Sequence, residues 1–401
     1  MTFSFVENEK SAKIKVVGVG GAGGNAINNM INSKLSGVKF IVTNTDSQAL
    51  EISSASMKIQ LGVNLTEGLG AGANPEIGKN AAIESKNEIR SVLGDDSHMI
   101  FITAGLGGGT GTGAAPIIAE ICKELGALTV AVVTKPFTFE GKKRMRQAEE
   151  GMNILKEIAD TVITIPNDRI RELAAKNATM IEMFKKADEV LLHSVKGITD
   201  LIMLPGLVNL DFADIKTIMN KAGMAIMGIG QASGEDRAMI AAEKAISHPL
   251  LEDISISGAK GVLMNISSAS TLTMEEMTKA SDHIYREVGD EADIIWGAVI
   301  DESMGDKMSV TVIATGIGTS SIEESIEQKN LELTTKTIKP VKKREEPVPE
   351  QMQDTLDTYR RIKRDSDRFS GATYKGIYQN LKFDEVNYDT PTFLRKRQIR
   401  K

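Results

Sequence analysis

Nine residues, Gly105-Leu106-Gly107-Gly108-Gly109-Thr110-Gly111-Thr112-Gly113, hold the densest chemistry in the chain. The apolar run Met99-Ile100-Phe101-Ile102 precedes them and a helix-like stretch over 114–120 follows, so a strand feeds a glycine loop that feeds a helix. Glycine reaches positive φ without strain and puts no Cβ between the backbone and a ligand. Successive N–H groups can then converge on an anion at a helix N-terminus. An ordinary turn asks for one or two glycines, whereas 107–113 has five in seven positions, and glycine is the costliest residue to order. The stretch reads as a phosphate cradle.

A second cluster, Gly18-Val19-Gly20-Gly21-Ala22-Gly23, follows the strand-like Ile14-Lys15-Val16-Val17 and satisfies the dinucleotide pattern G-x-G-x-x-G, with Asp46 after the next strand, where a ribose-binding acid belongs. Taken alone, this points to an NAD-dependent oxidoreductase. The duplicated loop argues against it. A dinucleotide site handles one pyrophosphate at one helix N-terminus, while two loops at separate strand ends supply enough amides to surround a triphosphate. His98, His193, His248 and His283 follow no catalytic or ligand spacing. The sequence G-x-x-x-x-G-K-[ST] does not occur either, which leaves a nucleoside triphosphatase without a P-loop. A nucleotide-binding scaffold without turnover is the third reading.

The elements that position these loops alternate. Short β-branched runs at 14–19, 38–42, 99–103, 128–133 and 161–166 are separated by helical patterns, as in a Rossmann-like α/β fold whose parallel sheet binds ligands at the carboxyl ends of its strands. Thr179-Met180-Ile181-Glu182 has capping-box spacing and opens a long helix with Ile181, Phe184, Val190, Leu191, Val195, Ile198 and Leu201 at helical intervals, stopped by Pro205-Gly206. Charges are few in its C-terminal half, so it reads as a central spine between two domains. Strand-like runs at 261–266, 294–300 and 309–315 build a second, smaller α/β domain. From about 319 the chain turns to Glu, Lys, Gln, Thr, Ser and Pro, too poor in apolar residues to offset ordering entropy, and reads as a disordered C-terminal tail.

Composition narrows the class. The 401 residues, 41% hydrophobic and 25% charged, have a net charge of -6, which disfavours nucleic acid as a partner because displacing counterions needs a basic footprint. The single Cys122 cannot form an internal disulfide and fits a reducing compartment as a small buried hydrophobe. The N-terminus lacks a signal-peptide pattern, and no apolar run approaches the ~20 residues needed to span a bilayer. A cytoplasmic protein with no direct membrane insertion is expected.

Gly20-Gly21-Ala22-Gly23-Gly24-Asn25-Ala26, Asn44-Thr45-Asp46, Gly70-Ala71-Gly72-Ala73-Asn74-Pro75, the 105–113 loop and Val133-Thr134-Lys135-Pro136-Phe137-Thr138-Phe139-Glu140-Gly141-Lys142-Lys143-Arg144 together resemble the tubulin/FtsZ GTPase family. Asn209-Leu210-Asp211-Phe212-Ala213-Asp214 and the terminal Asp389-Thr390-Pro391-Thr392-Phe393-Leu394-Arg395 extend the likeness. It covers about 14–318 and the last dozen residues. With the patterns above it divides the chain into an N-terminal extension (1–12), a GTP-binding domain (13–178), a central helix (179–205), a GTPase-activating domain (206–318), a flexible linker (319–388) and an adaptor-binding peptide (389–401).

The resemblance implies that GTP and GDP are held by Gly21, Ala22, Gly23, Gly24 and Asn25 on one side and by Gly108, Gly109, Thr110 and Gly111 on the other. It assigns Glu140 and Arg144 to ribose and phosphate, and Asn167, like Asn25, to the nucleotide. Phe184 and Asp188, one turn apart and so on one helix face, take the guanine, the ring by stacking and the carboxylate by accepting from N1–H and the exocyclic amine. Neither loop contains a lysine, so phosphate charge falls to amides, helix dipoles and Mg bound through the phosphates, with no protein ligands to the metal. Asp211 and Asp214 match the hydrolytic acids. Without the family, they read as N-cap and first-turn acids of the following helix. The long helix spans ~30 Å or more, so these acids are expected to miss their own nucleotide and reach a neighbour's. The implied protein is a GTPase that polymerises head to tail into filaments of the bacterial cytokinetic ring. Such a ring lies at mid-cell on the inner face of the cytoplasmic membrane, tethered through residues 389–397 to adaptors such as FtsA, with Phe393 and Leu394 as anchors.

Overall fold

The computed structural model describes residues 12–173, 177–204, 206–208, 210–220, 223–251, 256–289 and 292–317. The linker and terminal peptide read from the sequence lie outside these residues, as do residues 1–11 of the N-terminal extension.

Six parallel strands form the first half of one sheet: β1 (Ile14–Val19), β2 (Val38–Asn44), β3 (Met57–Gln60), β4 (Met99–Gly105), β5 (Leu128–Lys135) and β6 (Thr161–Pro166), in the order β3-β2-β1-β4-β5-β6. Every residue of β1 is buried, as expected for a parallel strand covered by helices on both faces. Its side chains alternate between two cores, Ile14 and Val16 on one face and Val17 and Val19 on the other. Cys122 is fully buried on the second of these faces.

The sheet then continues. The strand β7 (Gly206–Val208) sits at the far edge, and β8 (Gly223–Ser233) pairs parallel to β6 through Thr161–Ile163. Beyond it β11 (Lys307–Thr315) lies antiparallel between β8 and β9 (Gly261–Ser268), and β10 (Asp293–Ile300) runs parallel to β9. The second half has its own apolar core, which includes Ile226, Val262, Met264 and Val310. β8 escapes the sequence patterns because Gly223, Gly228 and Gly230 interrupt it. Gly228 and Gly230 let the helix Arg237–Ile246 lie directly on the strand: a Cβ on Gly228 would meet the Ala245 carbonyl at 1.9 Å, and one on Gly230 the Ala241 carbonyl at 1.8 Å.

Between the halves runs the helix Met180–Met203, 24 residues long. Thr179 caps it as the sequence spacing indicates: its hydroxyl accepts from Glu182 N–H at 3.3 Å while the Glu182 carboxylate accepts from Thr179 N–H at 2.6 Å. Val190, Leu191, Val195, Ile198 and Leu201 are buried along it. At 1.5 Å per residue it spans about 36 Å. Among the described residues no helix is long and apolar enough to cross a membrane.

Candidate functional site

Both glycine clusters turn out to be partly helical. The helix Gly20–Asn32 begins inside the first, so Gly20 to Asn25 form its opening turns, and the helix Thr110–Glu124 begins inside the second. The glycines divide their labour accordingly. A Cβ on Gly23 would lie 2.4 Å from the Thr103 carbonyl, one on Gly111 2.5 Å from the Gly105 carbonyl, and one on Gly113 1.9 Å from the Pro75 carbonyl. These three are needed for helices to pack on neighbouring backbone. Gly21 and Gly108 have open space where a Cβ would stand, and both face the cleft described next.

A cleft of about 350 Å³ opens at the carboxyl ends of β1, β4, β5 and β6. Two helix N-termini converge on it, carrying Gly21, Ala22 and Asn25 on one side and Gly108, Gly109, Thr110 and Gly111 on the other. The loops touch: a Cβ on Gly20, whose φ is +72°, would be 3.0 Å from the Gly111 nitrogen. The Thr112 hydroxyl accepts from Gly107 N–H at 2.8 Å, and the Thr110 and Thr45 hydroxyls are 2.7 Å apart. Orphan N–H groups and aligned dipoles at two helix starts make this a site for anionic groups.

The opposite wall carries Glu140, Arg144, Asn167, Phe184, Ala187, Asp188 and Leu191. Glu140 accepts from Phe137 N–H at 2.9 Å and pairs with Arg144 one helical turn on. Asn167, directly after β6, is 6% exposed, and its side-chain oxygen has no partner among the described residues. A buried amide oxygen left unpaired costs desolvation energy, so this atom is set up for a ligand donor. Burial raises the Asp188 carboxyl to about 7. Phe184 is half-exposed on the same helix face, 5.6 Å from Phe137, ring centre to ring centre.

Of the sequence-derived binding residues, Gly23 and Gly24 do not line the cleft; Gly23 packs against β4, and a Cβ on Gly24 would lie 3.5 Å from the Val42 side chain. Leu106, Thr134, Pro136, Ala187 and Leu191 also line it, although the sequence patterns assign none of them to the nucleotide. Asp46, the would-be ribose acid of a dinucleotide site, instead caps the helix Ser47–Glu51, accepting from Gln48 and Ala49 N–H. A larger cleft of about 690 Å³ opens beside Arg237 in the second half. There the guanidinium is committed to Glu276 at 2.7 and 3.2 Å, the Asp306 carbonyl at 3.1 Å and the Thr271 hydroxyl at 3.2 Å. Arg237 there acts as a staple between loops. Among the described residues, no three His, Cys, Asp or Glu side chains gather into a metal-binding group.

Asp211 and Asp214 are far from the cleft. The helix Phe212–Met219 follows Asp211, and the Phe212 ring lies 6.0 Å from that of His98, immediately before β4, whose other end supplies Gly105 to the cleft. Seven strand residues at ~3.3 Å each separate the two ends by roughly 20 Å. Asp211 occupies the N-cap position, yet its side chain makes no capping bond. Among the described residues neither carboxylate has a hydrogen-bond or ion-pair partner, and both are exposed.

Comparison with known proteins decides the family. The model of the Tubulin/FtsZ family GTPase domain matches residues 13–175, and that of the FtsZ family C-terminal domain matches 223–318. The chain is 46% identical to the cell division protein FtsZ of Pseudomonas putida over 399 residues, covering 98% of this chain and 99% of that protein. The chain belongs to the FtsZ family. FtsZ 2 of Rhizobium meliloti is 56% identical over 309 residues, 77% of this chain and 89% of that protein. A solved FtsZ structure from M. jannaschii superposes with a TM-score of 0.74 at 47% identity, over 77% of this chain and 89% of that one. Membership in this GTPase family makes the chain a guanine-nucleotide-binding relative of cell division proteins, and excludes the oxidoreductase reading.

Proposed function

We propose that the chain binds GTP in the 350 Å³ cleft, assembles head to tail with copies of itself, and hydrolyses the nucleotide at each junction with Asp211 and Asp214 of the adjoining copy. The reading rests above all on the place of those two acids. They are exposed, free of capping bonds, and near the start of β4, whose far end lines the cleft, so they cannot serve their own nucleotide. An interface joining unlike faces without closing generates a filament, and it would bring one copy's acids to the next copy's γ-phosphate. There they orient and deprotonate the attacking water. Gly21, Ala22, Asn25 and Gly108 to Gly111 hold the phosphates, with Gly23 and Gly24 shaping the first loop. Glu140, Arg144 and Asn167 hold the ribose and phosphate, and Phe184 and Asp188 hold the guanine. Mg held through the phosphates supplies charge neutralisation. The M. jannaschii relative's structure is described as a dimer, which supports self-association.

The test is phosphate release and sedimentation with GTP, ATP or no nucleotide. Release and pelleting are expected with GTP alone, and release per molecule should climb steeply with protein concentration. Turnover per molecule that is independent of concentration would overturn hydrolysis in trans.

Within this reading, 13–178 binds GTP, 179–205 is the central helix, 206–318 completes hydrolysis on the neighbour, and 319–388 connects to the peptide 389–401. Phe393 and Leu394 anchor that peptide on membrane-tethering adaptors such as FtsA, with Arg395, Lys396 and Arg397 steering the encounter. The filament thereby sits at mid-cell on the inner face of the cytoplasmic membrane. Removing residues 389–401 is expected to leave GTP turnover and pelleting intact and to abolish co-sedimentation with adaptor-coated vesicles. Undiminished co-sedimentation sinks the docking role.

A further inference from the structure

We propose that Phe137 is a positioning residue for the nucleotide base: its immobile ring holds the ring of Phe184 in the orientation that receives guanine. This rests on the reading of Phe184 as the stacking platform. Phe137 follows β5 and Pro136, is 2% exposed, and meets Phe184 edge to face, with centroids 5.6 Å apart and planes at 83°. Phe139, 60% exposed, also stacks on it at 5.0 Å and 13°. Phe184 stands half-exposed on the surface of a helix. Left alone, such a side chain samples several rotamers and must give up that freedom when a base stacks on it. Contact with a buried ring restricts that freedom before the ligand arrives, and edge-to-face geometry is an arrangement in which two aromatic quadrupoles attract.

The same short segment serves the other end of the nucleotide through its backbone, since Phe137 N–H donates to Glu140, which pairs with Arg144. A side-chain substitution at 137 leaves that donor in place. The two contributions are therefore separable: the ring acts on the base, the amide on the ribose and phosphate side.

Affinities of nucleotide-stripped protein for GDP and for inorganic triphosphate provide the readout, and a double-mutant cycle assigns the coupling. Phe137→Leu is expected to weaken GDP about three- to tenfold, the range of an aromatic pair, with triphosphate affinity unchanged. In a Phe184→Ala background the same substitution should add nothing. If Phe184→Ala itself leaves GDP affinity intact, the assignment of the base site fails. If Phe184→Ala weakens GDP but Phe137→Leu has no effect, or adds its full effect in both backgrounds, positioning by Phe137 alone is overturned. Loss of triphosphate affinity in Phe137→Leu overturns it too, by revealing general damage to the cleft. Phe139→Ala, at an exposed position that does not threaten folding, removes the ring stacked on Phe137 and should weaken GDP about twofold. If Phe137→Leu does not fold, an unchanged GDP affinity in Phe139→Ala overturns the proposal.

Discussion

Replacing Asp211 with alanine is expected to leave GTP affinity unchanged while lowering turnover about a hundredfold or more, the usual contribution of a positioned general base. The expectation follows from geometry. The carboxylate is exposed, makes no capping bond, and sits at the N-terminal edge of the first-half sheet, whereas the nucleotide cleft opens at the carboxyl edge. Because its carboxylate makes no bond among the described residues, the substitution should not disturb the fold. Complementation separates trans from cis chemistry. Asp211→Ala has an intact cleft and lacks the Asp211 carboxylate; Asp188→Ala keeps both acids and has a weakened cleft. In a co-sedimenting equal mixture, random head-to-tail order places a good cleft against a good acid at about one junction in four, so up to roughly a quarter of wild-type turnover should return. A mixture that co-sediments yet stays as inactive as its components excludes trans hydrolysis by Asp211. Full turnover by Asp211→Ala alone removes the residue from the mechanism.

The parts of this site legible in the sequence were those whose cause is local. β1, β4, β5 and β6 are apolar and β-branched because they are buried on both faces, and the Thr179 capping box declares the start of the central helix within four residues. What the sequence hides depends on neighbours far along the chain. The glycines of β8 argue against a strand until the helix Arg237–Ile246 is seen lying on them. Gly23 and Gly111 look like phosphate-binding glycines but are required first by packing against Thr103 and Gly105. Asp46 matches the dinucleotide fingerprint by spacing alone, and its carboxylate is spent on a cap. β3 and β7, of four and three residues, are too short to show a period. Leu106 and Pro136 each stand one position beyond a strand end, as Asn167 does. Asn167 comes from the family resemblance; the rule that ligands bind at the carboxyl ends of parallel strands would have found all three.

Asp188 should make nucleotide binding depend on pH near neutrality. In the free protein burial lifts its carboxyl from the ordinary 3.8 to about 7. Guanine offers N1–H and an exocyclic amine, both donors, and a carboxylate that accepts them is held ionised, so its pKa falls on binding. Binding therefore releases a proton. Above pH 7 the free carboxylate is already ionised and affinity is flat; below 7 the proton must be displaced, and affinity drops about tenfold per unit until the pKa of the complex is reached. Wild type at pH 6 should bind GTP about tenfold more weakly than at pH 8. The terminal phosphate of GTP titrates in the same range, so the comparison that matters is the ratio of wild type to Asp188→Asn. The amide still offers an acceptor but cannot ionise, and the ratio should carry the whole of the carboxylate's dependence. Asp188→Ala leaves the two guanine donors unpaired in a half-buried site, at a cost of about 2 kcal/mol or more, roughly thirtyfold in the preference for GTP over ATP. Equilibrium binding of both nucleotides to the three proteins at pH 6, 7 and 8 tests the assignment. A preference for GTP that survives in Asp188→Ala, or a wild-type to Asn ratio constant across that range, would show that this carboxylate does not read the base.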